Sequence, residues 1–331
     1  MRRGRDDSLA QARRRFGWMT WTAIIAAVLV LAGIGLWRWA AANDSVATLD
    51  AVDGLFTKGD AEVVAGPVAI GDGDEQVLYV MRASGNQIDR KMPVLVWIHG
   101  GAWRDGDPED YAFMGRNFAP EGFVVVNAGY RKGAGGGEYP AMLEDGAAAL
   151  RWVVDNIGSY GGDAERIYLM GHSAGAYNAV MLGLDRQWLG REGLPDDTID
   201  GVVGLAGPYD FLPLDKESTI RTFGAQENLD ATQPVNFVRA DAPPMLLVHG
   251  SEDEVVNPRH SKALEAAQRA VGGEALSIEL KGLNHADLVM RLARPFSRET
   301  RTKDAVLGWL QARVTAEDVP EPSPAVQPPA R

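Results

Sequence analysis

Short apolar runs alternate along the chain with longer amphipathic stretches, the pattern of strands and helices in layered α/β proteins. Residues 76–82, 94–99, 122–128, 167–171, 201–206 and 245–249 predict strands, and 276–280 is strand-like. The runs 94–98 and 245–248 are continuously apolar, as strands covered on both faces have to be. Helices are predicted over 141–157, 174–184, 261–271 and 298–314. The first of these sets Met142, Ala149, Trp152 and Val153 on one core-facing stripe. Strands within 63–80 precede any of these helices, so the sheet is expected to open antiparallel and continue parallel. Ligands then bind beyond the carboxyl ends of the parallel strands.

Both ends of the chain depart from this alternation. Phe16 to Trp37 carries no charge, is bracketed by Arg15 and Arg38, and is flanked by Trp18, Trp21, Trp37 and Trp39. As a helix it would span about 33 Å, enough for a ~30 Å hydrocarbon core with interfacial aromatic belts. Residues 18–42 are therefore expected to form a transmembrane anchor. The alternative is a signal peptide ending at Ala40-Ala41-Ala42. Residues 1–17 hold six arginines and two aspartates, a basic segment that the positive-inside rule leaves in the cytoplasm. The rest would be extracytoplasmic, periplasmic in a bacterium, or exported if the segment is cleaved. Residues 43–60 are expected as a linker, 61–314 as the globular α/β domain, and 315–331, with five prolines, as a disordered tail.

Composition narrows the chemistry. The 331 residues include no cysteine, which excludes disulfides, thiolate metal sites and a cysteine nucleophile. The net charge is −12, against a nucleic-acid surface. No motif calls for a metal or an organic cofactor, and none is expected.

Gly171-His172-Ser173-Ala174-Gly175 lies between a predicted strand and a predicted helix, the context a Gly-x-Ser-x-Gly nucleophile turn needs. The glycines two before and two after Ser173 leave room for a serine swung out on a strained turn. Amides at the start of the following helix favour developing negative charge. His99-Gly100-Gly101-Ala102-Trp103 ends another predicted strand, and paired glycines let main-chain N–H groups approach an oxyanion. The predicted donors are the N–H groups of Gly100, Gly101 and Ala174.

A serine nucleophile needs a base, and the chain has five histidines. His99 belongs to the glycine turn, His172 adjoins the serine as a packing or pocket-lining residue, His249 ends a strand, and His260 opens a helix. His285, in a loop after the last predicted strand, is the candidate base. The acid is expected between serine and base in the chain. Asp253, after strand 245–249, is the candidate, with Asp287 a weaker rival too near His285 in sequence. Trp103 and His172 are the candidate substrate-binding residues.

With these motifs, with Tyr130-Arg131, Gly161-Gly162-Asp163, Pro243-Pro244 and Asn284-His285, the chain resembles the α/β-hydrolase fold over about residues 60–312. The resemblance is to serine carboxylesterases of the His-Gly-Gly type, in the hormone-sensitive-lipase-like and feruloyl- or acetyl-esterase-like groups. It implies a mostly parallel sheet with helices on both faces and a lid reduced to about 207–240. It also implies nucleophile Ser173, acid Asp253, base His285 and donors Gly100, Gly101 and Ala174, acting on a small ester with a short or aryl acyl group. Arylformamidase-like amide hydrolysis by the same groups is one alternative, and a catalytically silent binding domain is another.

Overall fold

The computed structural model describes residues 20–28, 31, 33, 35, 45–57, 59–85, 91–133, 136–294, 296 and 298–317. The chain divides into two units, residues 1–48 and 49–331. In the first, residues 20–28 are helical and the side chains of Trp21, Ile24, Ile25 and Val28 are exposed. Among the described residues no helix is long and apolar enough to cross a membrane. Much of the anchor expected over 18–42 lies outside the described residues, as do residues 318–331 of the expected tail. Residues 315–317 of that tail instead end the helix Arg301–Glu317.

In the second unit the strands form one eight-stranded sheet. They are β1 (Ala61–Ala69), β2 (Val77–Ala83), β3 (Met92–Ile98), β4 (Val124–Ala128), β5 (Gly162–His172), β6 (Gly201–Leu205), β7 (Met245–Gly250) and β8 (Ala275–Leu280). Their spatial order is β1-β2-β4-β3-β5-β6-β7-β8. β2 is antiparallel to both β1 and β4, and every other pairing is parallel. The antiparallel opening follows from the lack of a crossover helix before β3. The central strands β4, β6 and β7 are buried at every residue, including the polar Asn127 and His249. Edge strand β1 is half exposed and takes Pro67 at an irregular part of its register. An edge tolerates a residue that cannot donate to a ladder.

The helices Ala141–Asn156, Ala174–Leu184 and Arg259–Ala270 match the predicted ones to within two residues. On the first, Met142, Ala149 and Val153 are buried, whereas Trp152 is half-buried and stacks on Tyr160. From β3 the chain steps to β4 on one side, then back across to β5 and onward through β6, β7 and β8. Right-handed crossovers in opposite directions place helices on opposite faces. They also open a crevice beyond the carboxyl ends of β3 and β5, where the order reverses.

The described part of the expected linker 43–60 is largely helical. Ser45–Phe56 is a helix, and from Leu49 onward it belongs to the sheet unit. The wholly buried Asp53 carboxylate accepts from Arg116 Nε (2.8 Å), Asn117 Nδ2 (2.9 Å), the Arg294 N–H (2.7 Å) and Thr57 Oγ1 (2.8 Å). Asp50 accepts from the Phe113 N–H (2.6 Å) and Arg116 Nη2 (2.7 Å). Two acidic residues one helical turn apart thus bind the helix to segments far along the chain. Polar periodicity rather than apolar periodicity carries the segment, and so it escapes a hydrophobic reading. Asp53→Ala would leave the mostly buried Arg116 short of a partner and two further donors unpaired. Loss of about 3 kcal/mol is expected, measured as a lower urea midpoint at unchanged slope.

Candidate active site

β3 and β5 are hydrogen-bonded neighbours with Ile98 opposite Gly171, so the glycine turn after β3 and the serine turn after β5 emerge side by side. Ser173 has φ 54° and ψ −118°, a left-handed conformation that a residue with a side chain adopts only under constraint. Its N–H donates to Leu205 O (2.8 Å), and its carbonyl accepts from the Tyr177 N–H (3.1 Å). A Cβ on Gly171 would strike the carbonyl of Gly175, and one on Gly175 would strike those of Ile98 and His99. Gly171 is therefore required by the tightness of the turn itself, and Gly175 by the turn's closeness to the end of β3.

The second turn is equally constrained. Gly101, Ala102 and Trp103 have φ of 116°, 54° and 56°. Gly101 O accepts from the N–H groups of Arg104 (3.0 Å) and Asp105 (2.9 Å). A Cβ on Gly100 would lie 2.9 Å from His172 O and 3.4 Å from Ser173 Cβ, which puts the Gly100 main chain directly against the nucleophile. Among the described residues the N–H groups of Gly100 and Gly101 have no acceptor within the chain. Ala174, first residue of its helix, likewise has no intrahelical acceptor for its N–H. His99 braces the turn from behind: Nδ1–H donates to Gly100 O (2.7 Å), the ring stacks on Tyr130 at 4.4 Å, and Tyr130 Oη donates to His99 O (3.0 Å).

Asp253 leaves the end of β7 in a turn where its Oδ1 accepts from the N–H groups of Val255 (2.9 Å) and Val256 (2.8 Å). Its Oδ2 accepts from His285 Nδ1–H at 2.8 Å, with His249 Nε2 at 3.4 Å. Burial alone would raise this carboxyl. The hydrogen bonds from His249 and His285 and the Val256 N–H outweigh burial and hold it well below the usual carboxylate range. His285 is thereby fixed with its proton on Nδ1 and Nε2 free to accept. Asp287, the weaker rival for the acid, caps the loop instead, accepting from the Asn284 N–H (3.0 Å).

The His172 and His285 rings are 4.6 Å apart, and His172 Nε2–H donates to His285 O (3.0 Å). His285, the candidate base, therefore packs against the residue preceding Ser173. Ser173 Oγ makes no hydrogen bond to His285 in this structure. Such contacts are often long before substrate binds.

A cavity of about 480 Å³ opens at Ser173 and Ala174. The turn supplies Ala102 and Trp103, the segment after β6 supplies Pro208 to Thr219, and the segment after β7 supplies Glu254 to His260. The expected lid at 207–240 contains the helix Glu217–Phe223 and walls this cavity on one side. Trp103 lines it but is 3% exposed, held edge-on against Tyr177 and Phe223 with Nε1–H donating to Asn178 Oδ1 (3.0 Å). His172 does not line it, because its ring is turned under the His285 loop. The sequence reading missed Phe211, Lys216 and His260 as cavity walls. No local motif marks them, since only the return of the chain across the strand ends brings them there. A cavity of about 490 Å³ among Asp196, Asp200, Asp241 and Arg313 holds no member of this site.

The sheet order and the serine turn define the α/β-hydrolase fold. The chain belongs to the BD-FAE family, whose sequence profile matches residues 83–267, more than half its length. Among curated proteins it is 30% identical to Esterase LipQ of Mycobacterium tuberculosis over 65% of this chain and 55% of that one. It is 31% identical to Esterase LipC of the same organism, over 66% of this chain and 58% of that one. The chain thus spans little more than half the length of these relatives. Among solved structures, a truncated carbohydrate esterase from gut microbiota superposes with a TM-score of 0.68 at 21% identity. That match covers 78% of this chain and 98% of that one, and it shows the shared fold.

Three buried histidines make stability depend on pH. Burial lowers His99 and His260 from 6.5 to about 4 and His172 to about 3. Below pH 6.5 the unfolded chain takes up protons that these folded rings refuse, so stability falls as pH drops from about 6.5 towards 4. Asp253 is lowered too, but for a carboxyl this contributes stability, which is lost only below its unfolded value of 3.8. Urea unfolding is expected to lose on the order of 2 kcal/mol per histidine between pH 7 and 5. His172→Asn should remove about a third of that dependence.

Proposed function

We propose that this chain is a serine hydrolase of carboxylic esters with short or aryl acyl groups, working through an acyl-enzyme. The observation that carries the reading is a strained serine flanked by main-chain donors, with the ring of the hydrogen-bonded Asp253–His285 pair packed on the adjoining His172. As Ser173 Oγ attacks the ester carbonyl, its proton passes to His285 Nε2, and Asp253 stabilises the imidazolium that forms. The carbonyl oxygen, now anionic, is met by the N–H groups of Gly100, Gly101 and Ala174. His285 returns the proton to the departing alcohol, and water repeats the cycle to release the acid. The esterases among the relatives support this reading, and the 480 Å³ cavity suits a small substrate.

Ser173→Ala should cut hydrolysis of p-nitrophenyl acetate by roughly 10⁴–10⁶-fold and abolish labelling by a fluorophosphonate. Labelling that persists in this variant would overturn the assignment.

The reading extends to location. The uncharged run Phe16 to Trp37, its bracketing arginines and its flanking tryptophans support a single N-terminal membrane anchor with the hydrolase domain outside the cytoplasm. The full chain is expected to stay in the membrane pellet through alkaline carbonate, while a chain starting at residue 45 partitions to the supernatant. Carbonate-released full chain would refute the anchor.

A further inference from the structure

His260 lines the cavity that holds Ser173, and the chemistry above makes no use of it. It is the second residue of the helix Arg259–Ala270 and is only 6% exposed. The Asp210 N–H, from the segment after β6, donates to its Nδ1 at 3.2 Å. An imidazole that accepts at Nδ1 and is neutral carries its proton on Nε2. Burial first, then the neighbouring Arg259, lowers this ring to about 4, so it is neutral and has one tautomer at physiological pH. Among the described residues Nε2 has no partner in the protein, yet it is not one of the polar atoms sealed away from solvent. The open space beside this residue is the cavity.

Thr219 and the charged side chains of the cavity are placed differently. Thr219 is as buried as His260, but its hydroxyl is spent on Lys216 O (2.9 Å). Asp215, Lys216, Glu254 and Arg259 are exposed at the rim, where water competes for them. His260 thus presents a fixed, buried N–H donor beside the apolar wall of Phe211 and Leu212.

We infer that His260 is a specificity-determining residue: its Nε2–H donates to a hydroxyl or ether oxygen in the non-reacting part of the ester, on the acyl or the alcohol side. The inference rests on the ester-hydrolase reading above and adds the class of ester. An oxygenated substrate exchanges the water on Nε2–H for a hydrogen bond. An alkyl chain in the same place strips that water and leaves the donor unpaired, which is the more costly outcome.

Two isosteric pairs test this in the full chain: p-nitrophenyl methoxyacetate against p-nitrophenyl butyrate for the acyl side, and 2-methoxyethyl acetate against butyl acetate for the alcohol side. Each pair differs by an oxygen in place of a methylene. Comparing kcat/KM ratios between enzymes cancels the intrinsic reactivities. His260→Asn keeps an acceptor for the Asp210 N–H but has no donor at the Nε2 position. His260→Gln keeps a donor there and loses the acceptor. The ether-to-alkyl ratio should fall about tenfold in at least one pair for His260→Asn, with alkyl turnover rising because no donor is left to be stranded, and should survive in His260→Gln. A residue that only holds Asp210 would give the reverse order, with both members of a pair falling together. That result, or unchanged ratios in both variants, overturns the inference while leaving ester hydrolysis standing. A wild-type chain that turns over none of the four esters sinks the broader reading and this inference with it.

Discussion

The left-handed turn at Ser173 is the constraint around which the rest of the structure is arranged. A non-glycine residue at φ 54° costs about 1–3 kcal/mol and persists only where its neighbours allow nothing else. Here the Leu205 carbonyl fixes its N–H, and the Tyr177 N–H fixes its carbonyl. Absent side chains at Gly100, Gly171 and Gly175 let three main-chain segments close on it. None of these restraints is local to the pentapeptide alone. They require β5 to lie between β3 and β6 in the observed register, so the sheet order is itself a condition for the exposed hydroxyl.

The histidines repeat the logic in electrostatic form. All five lie at or beyond the carboxyl ends of the strands, and each has one ring nitrogen committed to a definite partner. His99 is tied to Gly100 O, His172 to His285 O, His249 to Val256 O, His285 to Asp253 and His260 to the Asp210 N–H. Commitment of one nitrogen decides what the other can do. For His285 it leaves an acceptor, as a general base needs, while for His260 it leaves a donor. The same ring type is therefore set up as acceptor or donor through the choice of partner. Asp253 is bound in the same manner: two amides occupy Oδ1, so Oδ2 is the oxygen left for imidazoles.

How much of this was legible in the sequence depended on the range of the forces involved. β3 and β7 read as strands because burial on both faces leaves no polar position. The Ser173 and Gly100-Gly101 turns read as chemistry because steric clearance is demanded within a few residues. The helix Ser45–Phe56 did not read at all, since what holds it is Asp53 reaching Arg116, Asn117 and Arg294. Asp253 and His285 could be chosen only by their order in the chain and their loops, because their 2.8 Å contact joins residues 32 apart. His172 was misplaced as a cavity wall. Adjacency to the nucleophile in sequence says nothing about which way a residue on so tight a turn faces, and here the ring goes beneath the His285 loop.

The division of labour in the cavity has an evolutionary consequence that follows from its construction. The reacting groups stand on strand ends whose positions the sheet enforces, and any shift there would strain Ser173. Most of the walls that meet the substrate come instead from the segment after β6 and the start of the helix after β7. These two segments touch through the Asp210–His260 bond rather than through the triad. Side chains on them can change with little effect on the serine turn, because none of its restraints passes through them. The make-up of these cavity walls is thereby separable from the geometry of the serine turn.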